Sequence, residues 1–133
     1  MIKKIKQWMG RLQPEATESM QTPTNQHVVF YLTLKVLDVG ELRLDEGIWT
    51  YEYSQAFKAQ SRIQPLVNFQ LSNKVYEADV LWPFFASRIP SLNQPYVKDT
   101  VERKKIDLNN TADMLKEFGQ RTITNQFSLQ AAS

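Results

Sequence analysis

From Val28 to Tyr53 the side chains alternate with a period of two, and no other feature constrains the possible folds as tightly. Val28, Phe30, Leu32 and Leu34 share one side, while Val29, Tyr31, Thr33 and Lys35 share the other. β-Branched and aromatic residues dominate the run, as a half-buried strand favours. Asp38-Val39-Gly40 reads as the turn out of the first strand, and residues 41–44 as the returning one. Asp45-Glu46-Gly47 reads as a second turn leading into residues 48–53, where Trp49, Tyr51 and Tyr53 fall on one face. The pattern is that of a three-stranded antiparallel meander.

Beyond the meander the period changes. Ser54 is a candidate cap for a short helical turn, and residues 66–71 read as a further strand. In residues 79–90, Leu81, Phe84, Phe85 and Ile89 recur at helical spacing and imply one apolar face. Asp79 is a candidate N-cap there, although a start at Leu81 or Trp82 suits Pro83 better. Trp82 and Arg88 are left for another surface. A second helix is expected from Pro95 to about Lys105, with Asn93 as cap and Tyr96, Val97, Thr100 and Val101 on its buried side. A third covers residues 112–118, capped by Asn110 or Thr111, striped by Met114, Leu115 and Phe118 and stopped at Gly119. Residues 122–129 read as a last strand. The class is α+β: an antiparallel sheet meander with three short helices.

The amino-terminal portion has a different composition. Lys3, Lys4, Lys6 and Arg11 make residues 1–12 basic, with Ile2, Ile5, Met9 and Leu12 on one helical face and Trp8 beside them. Such a segment can lie on an anionic membrane, dock into a groove or pack on its own domain. Residues 13–27 read as a polar linker, which sets the folded domain at residues 28–133. The rest of the chain holds more acids than bases, so the body is no basic nucleic-acid binder. No apolar run approaches the roughly 20 residues of a membrane span, and no secretory leader is read. With no cysteine, thiol chemistry is excluded, and a cytoplasmic setting is expected.

Catalytic chemistry is hard to assemble from what remains. His27 is the single histidine, at the edge of the linker, and a solvated role suits it. Gly10, Gly40, Gly47 and Gly119 are scattered, so no phosphate-cradling loop exists. The acidic pairs Asp45-Glu46 and Glu77/Asp79 are explained by a turn and a helix cap better than by a cation. Aromatic residues would suit nucleic-acid stacking only with basic neighbours, and residues 49–53 contain Glu52 and no Lys or Arg. The expectation is a binding domain without catalytic, cofactor or metal residues.

Several motifs in order resemble a known module. They are Val39-Gly40-Glu41-Leu42, the aromatic strand Trp49-Thr50-Tyr51-Glu52-Tyr53, and Pro65-Leu66-Val67-Asn68-Phe69-Gln70-Leu71. Phe84-Phe85 followed by Ile89-Pro90, and Asp113-Met114-Leu115-Lys116-Glu117-Phe118-Gly119, complete the set. Together they resemble the N-terminal subdomain of HipA-type serine/threonine kinases, the toxins of bacterial toxin–antitoxin operons. The kinase's nucleotide loop and catalytic aspartates would follow Gly119, and residues 120–133 show none of them. The resemblance therefore extends to the HipS-like antitoxins of HipB–HipS–HipT systems. It implies a binding protein that docks on and restrains a HipT-like kinase lacking this subdomain, with a HipB-like DNA-binding protein as a further partner. Trp82, Pro83, Arg88 and Trp49 are the candidate kinase-interface residues. Ala86 stands where some relatives carry a bulky aromatic. The alternative is a membrane-peripheral or structural adaptor acting through residues 2–12.

Overall fold

The computed structural model describes residues 20–122 and 125–132, so the basic segment 1–12 and residues 13–19 of the expected linker lie outside the described residues. The meander comprises β1 (His27–Leu34), β2 (Leu37–Asp45) and β3 (Ile48–Tyr53). Two further strands, β4 (Tyr76–Ala78) and β5 (Phe127–Ala131), complete an antiparallel sheet of order β4-β3-β2-β1-β5. Four helices are present among the described residues: α1 (Gln55–Lys58), α2 (Pro83–Ala86), α3 (Pro95–Lys104) and α4 (Thr111–Phe118). The α+β class is as expected.

The turn chemistry differs from expectation at one place. β1 and β2 are joined by Lys35-Val36, with Lys35 at φ 56°, and Asp38-Val39-Gly40 lies within β2. Pairing jumps from Leu32↔Gly40 to Thr33↔Asp38, which leaves Val39 as a β-bulge. Its carbonyl is not wasted: it accepts from Ser54 N–H at 2.9 Å and ties the bulge to the end of β3. Glu46 and Gly47 form the second hairpin as read, both at positive φ.

Period two puts Phe30, Leu32, Leu42, Leu44, Trp49 and Tyr51 on the inner face, all buried. Phe85, Val101, Met114 and Leu115 from α2, α3 and α4 belong to the same core cluster. The outer face keeps its polar residues, with Arg43 held between Glu41 and Glu52 at 3.4 and 3.5 Å. Gly40 is required where it stands, because a Cβ there would run into the Tyr51 hydroxyl and the Glu52 carbonyl.

Helix ends follow local chemistry. The Ser54 hydroxyl accepts from Phe57 N–H, and the Asn110 side chain accepts from Asp113 N–H. α3 begins at Pro95 after Gln94, in place of the expected Asn93 cap, and ends at Lys105 in the left-handed conformation. Tyr96 is exposed and only Val97 and Val101 are buried on that helix. Residues 66–71 do not form the expected strand; they turn at Val67-Asn68.

Contacts with the body start upstream of the boundary expected at residue 28. Gln21 bridges Asn110 in parallel fashion, donating to the Asn109 carbonyl at 2.7 Å and accepting from Thr111 N–H at 3.1 Å. The Thr22 hydroxyl donates to the Asp79 carbonyl and accepts from the Trp49 indole N–H. Gln26 and Asn110 exchange a side-chain bond of 3.0 Å.

Candidate docking surface

The chain between α1 and β4 has no regular structure, yet polar side chains fix it at several points. The Tyr53 hydroxyl accepts from Leu66 N–H at 2.8 Å and donates to the Phe69 carbonyl at 2.7 Å. The Tyr76 hydroxyl accepts from Leu71 N–H at 2.8 Å. Gln60 bonds both ends of its own turn, reaching the Phe57 and Ile63 carbonyls and accepting from Ile63 N–H. A long loop held this way presents its side chains in fixed positions, as binding loops do.

Phe69 is the hub of that loop. It is fully buried, with Tyr51 at 4.4 Å, Trp82 at 4.9 Å, Tyr76 at 5.1 Å and Phe85 at 6.0 Å between ring centroids. Trp82 stands edge-to-face on it and is half-buried. Trp82 is also the N-cap of α2, with Pro83 in the first turn, so the helix begins later than Asp79. The Asn68 side chain accepts from Phe84 N–H at 2.9 Å and joins the two loops directly. Val67 (73% exposed) and Leu71 (58%) flank this junction, and Val75 and Val80 are exposed on the same two loops.

Two of the four sequence candidates are therefore at the surface, and two are not. Trp82 and Pro83 belong to it. Arg88 is only 3% exposed, and its guanidinium donates to the carbonyls of Gly119, Gln120 (3.1 Å) and Phe127 (2.7 Å). Those three acceptors of the domain itself explain why a charged side chain lies inside. Burial also holds its pKa below the ordinary arginine value. Trp49 is completely buried against Phe30 and spends its indole N–H on Thr22. Sequence reasoning missed Val67 and Leu71, because the apolar alternation around them imitated a strand. The available signal was the run Gln70, Ser72, Asn73 after them, which favours loop over strand.

Nothing in this surface resembles a proton-transfer site. Burial raises both Tyr51 and Tyr53, the latter to about 12 although the Leu66 N–H bond partly offsets it. Both phenols are neutral at ordinary pH and act structurally. Elsewhere, His27 Nδ1 lies 2.9 Å from Asp45 at the exposed hairpin end, with Glu46 beside them. That grouping belongs to the second hairpin, as the turn reading anticipates.

Comparison with known families agrees with the arrangement of elements. The model of the HipA N-terminal domain matches residues 31–124 of the 133 in the chain. No curated protein matches it.

Proposed function

Since this chain belongs to the HipA N-terminal domain family, we propose that it is an antitoxin-type binding protein that docks on a HipT-like serine/threonine kinase and restrains it. The family in question is a non-catalytic part of HipA-related toxin–antitoxin systems, which supports a binding role over an enzymatic one. The observation that carries the proposal is Trp82. It stands half-buried and edge-to-face on the Phe69 hub, with exposed Pro83 following it and exposed Val67 on the loop that carries Phe69. A preorganised tryptophan with an apolar surround is the type of anchor that dominates protein interfaces, often at 2 kcal/mol or more on truncation.

The test is co-purification with the kinase encoded beside this protein, together with a growth assay for kinase toxicity. Wild type should form a stable complex and relieve toxicity. Trp82→Ala should weaken binding at least about 30-fold, the equivalent of roughly 2 kcal/mol. Because Trp82 also packs on Phe69, Val67→Asp provides a second probe at a position whose side chain faces solvent. Binding by both variants at wild-type affinity would refute this surface, and absence of any complex would refute the function.

A further inference from the structure

A groove of about 300 Å³ opens beside the α2 turn, lined by Met20, Val80, Leu81, Ala86 and Ile89, with Asp79 on its polar side. Val80 is 70% exposed, and Asp79 is exposed next to it. The Thr22 hydroxyl donates to the Asp79 carbonyl and leaves the carboxylate untouched. The groove is an apolar hollow with one negative charge beside it.

The opposite chemistry stands at the other end of the sheet. Val36, at the tip of the β1–β2 hairpin, is fully exposed, and so is the lysine before it. Lys35 is held at φ 56°, a conformation that glycine or asparagine adopts at less cost. A turn built from a left-handed lysine and an uncovered β-branched residue goes against local preference, and such positions concentrate at functional surfaces. Among the described residues, neither the Lys35 ammonium nor the Asp79 carboxylate has a partner.

The two features cannot meet within one chain. Ala78, just before Asp79, pairs with Trp49, and Trp49 pairs with Leu44 near the end of β2. Lys35 and Val36 come just before Leu37, where β2 starts. The strand from Leu37 to Leu44 therefore separates them, by roughly 25 Å at about 3.4 Å per residue. Two copies related by a two-fold axis make the contact twice, and the assembly closes.

We propose that this chain forms a two-fold dimer in which the β1–β2 hairpin tip of each copy enters the groove of the other. Val36 inserts between Val80 and Ile89, and the Lys35 ammonium meets the Asp79 carboxylate. Apolar side chain faces apolar hollow, and the charges are of opposite sign. The contact uses a hairpin tip, so it adds no strand to either margin of the sheet. It is small beside a permanent interface, and the dimer is a weak, exchanging one. It does not rest on the kinase-docking reading, since both halves of the contact belong to this chain.

Sedimentation velocity on the full chain tests this between about 1 μM and 1 mM, where a weak interface populates both species. Wild type should pass from monomer to dimer. Lys35→Glu and Asp79→Lys should each weaken the dimer at least about tenfold, and together in one chain they should restore it to within about threefold. A merely structural role for either residue gives no such rescue. Val36→Asp changes a side chain that is fully exposed in the single chain, and it should abolish the dimer. Because the chain has no cysteine, a mixture of Val36→Cys and Val80→Cys proteins should oxidise to the mixed pair in preference to either like pair. A monomer throughout, single variants that dimerise as wild type does, or a double exchange without rescue would each overturn the proposal. Species that grow past the dimer would mean head-to-tail contacts and overturn the two-fold arrangement.

Discussion

Replacing Arg88 by methionine should destabilise the domain by about 3 kcal/mol. Its guanidinium donates to three backbone carbonyls, that of Gly119 in the interior and those of Gln120 and Phe127 partly buried. Hydrogen bonds from a charged group contribute roughly 1.5–3 kcal/mol each, against several kcal/mol to bury the charge. Methionine removes both sides of that balance, so the net effect is set by the carbonyls left behind. Gln120 keeps a partner, because its carbonyl also accepts from Leu129 N–H at 2.9 Å. Gly119 and Phe127 lose the guanidinium, at about 1–3 kcal/mol for each orphaned acceptor. Water reaching either one brings the sum to the lower half of that range, about 3 kcal/mol. Arg88→Lys should recover only a minor part, since one ammonium cannot span three acceptors as the planar fork does. Urea unfolding followed by tryptophan fluorescence reads this directly. With a slope near 1.5 kcal/mol/M, typical of a small domain, the midpoint should fall by about 2 M at unchanged slope. A shift below about 0.5 M would refute the assignment of Arg88 as an internal bolt. A variant of wild-type stability that lost kinase binding would restore it to the docking surface.

Tyr53→Phe should lose about 2 kcal/mol, because Leu66 N–H and the Phe69 carbonyl are left without their shared hydroxyl. The raised Tyr53 pKa also predicts an alkaline limb: full stability below about pH 10, the ordinary phenol value, lost as pH climbs towards 12. Unfolding midpoints measured from pH 8 to 12 should fall less steeply in Tyr53→Phe, with the slope due to Tyr51 remaining. The Tyr51 hydroxyl is buried with no hydrogen-bond partner among the described residues, so Tyr51→Phe should raise stability by up to about 1 kcal/mol in the same urea assay. Gly40→Ala should cost about 2 kcal/mol, and Tyr51→Phe should rescue it only in part because the Glu52 carbonyl still opposes the new methyl. Thr22→Val should cost about 1–2 kcal/mol by stranding the Trp49 indole N–H, and a neutral result would detach residues 20–26 from the cooperative unit.

Much of the sheet could be read from residue types, because alternation in residues 28–53 decides which side of each strand is buried. The hairpin before β2 could not. Lys35-Val36 carries no glycine, asparagine or proline, while Asp38-Val39-Gly40 carries the turn composition and serves as a bulge. There the deciding factors are tertiary: Ser54 captures the Val39 carbonyl, and Tyr51 needs the space over Gly40. Residues 66–71 failed as a strand for a similar reason, since the Tyr53 hydroxyl bonds to two of them and bends the backbone around itself. At the surface, Trp82 was identifiable from an aromatic run with few polar neighbours. Arg88 was misplaced because charge predicts exposure unless acceptors converge, and its acceptors lie more than 30 positions away. Val67 and Leu71 show the converse: they are apolar residues that stay outside, while Leu66 and Phe69 of the same loop take the buried positions.

The final strand has a consequence for how the protein behaves in a crowded solution. β5 is the outermost strand on its side of the sheet, where unpaired amides would ordinarily invite a second molecule to extend the ladder. Arg88 claims the Phe127 carbonyl and Gln120 claims the Leu129 amide, so the first part of that margin is occupied by the chain itself. At the opposite margin β4 is three residues long and carries exposed Glu77 at its centre. Growth into fibres or swapped dimers by strand addition is thereby hindered at both ends. Loss of Arg88 would therefore show first as self-association on storage, before any measurable change in secondary structure.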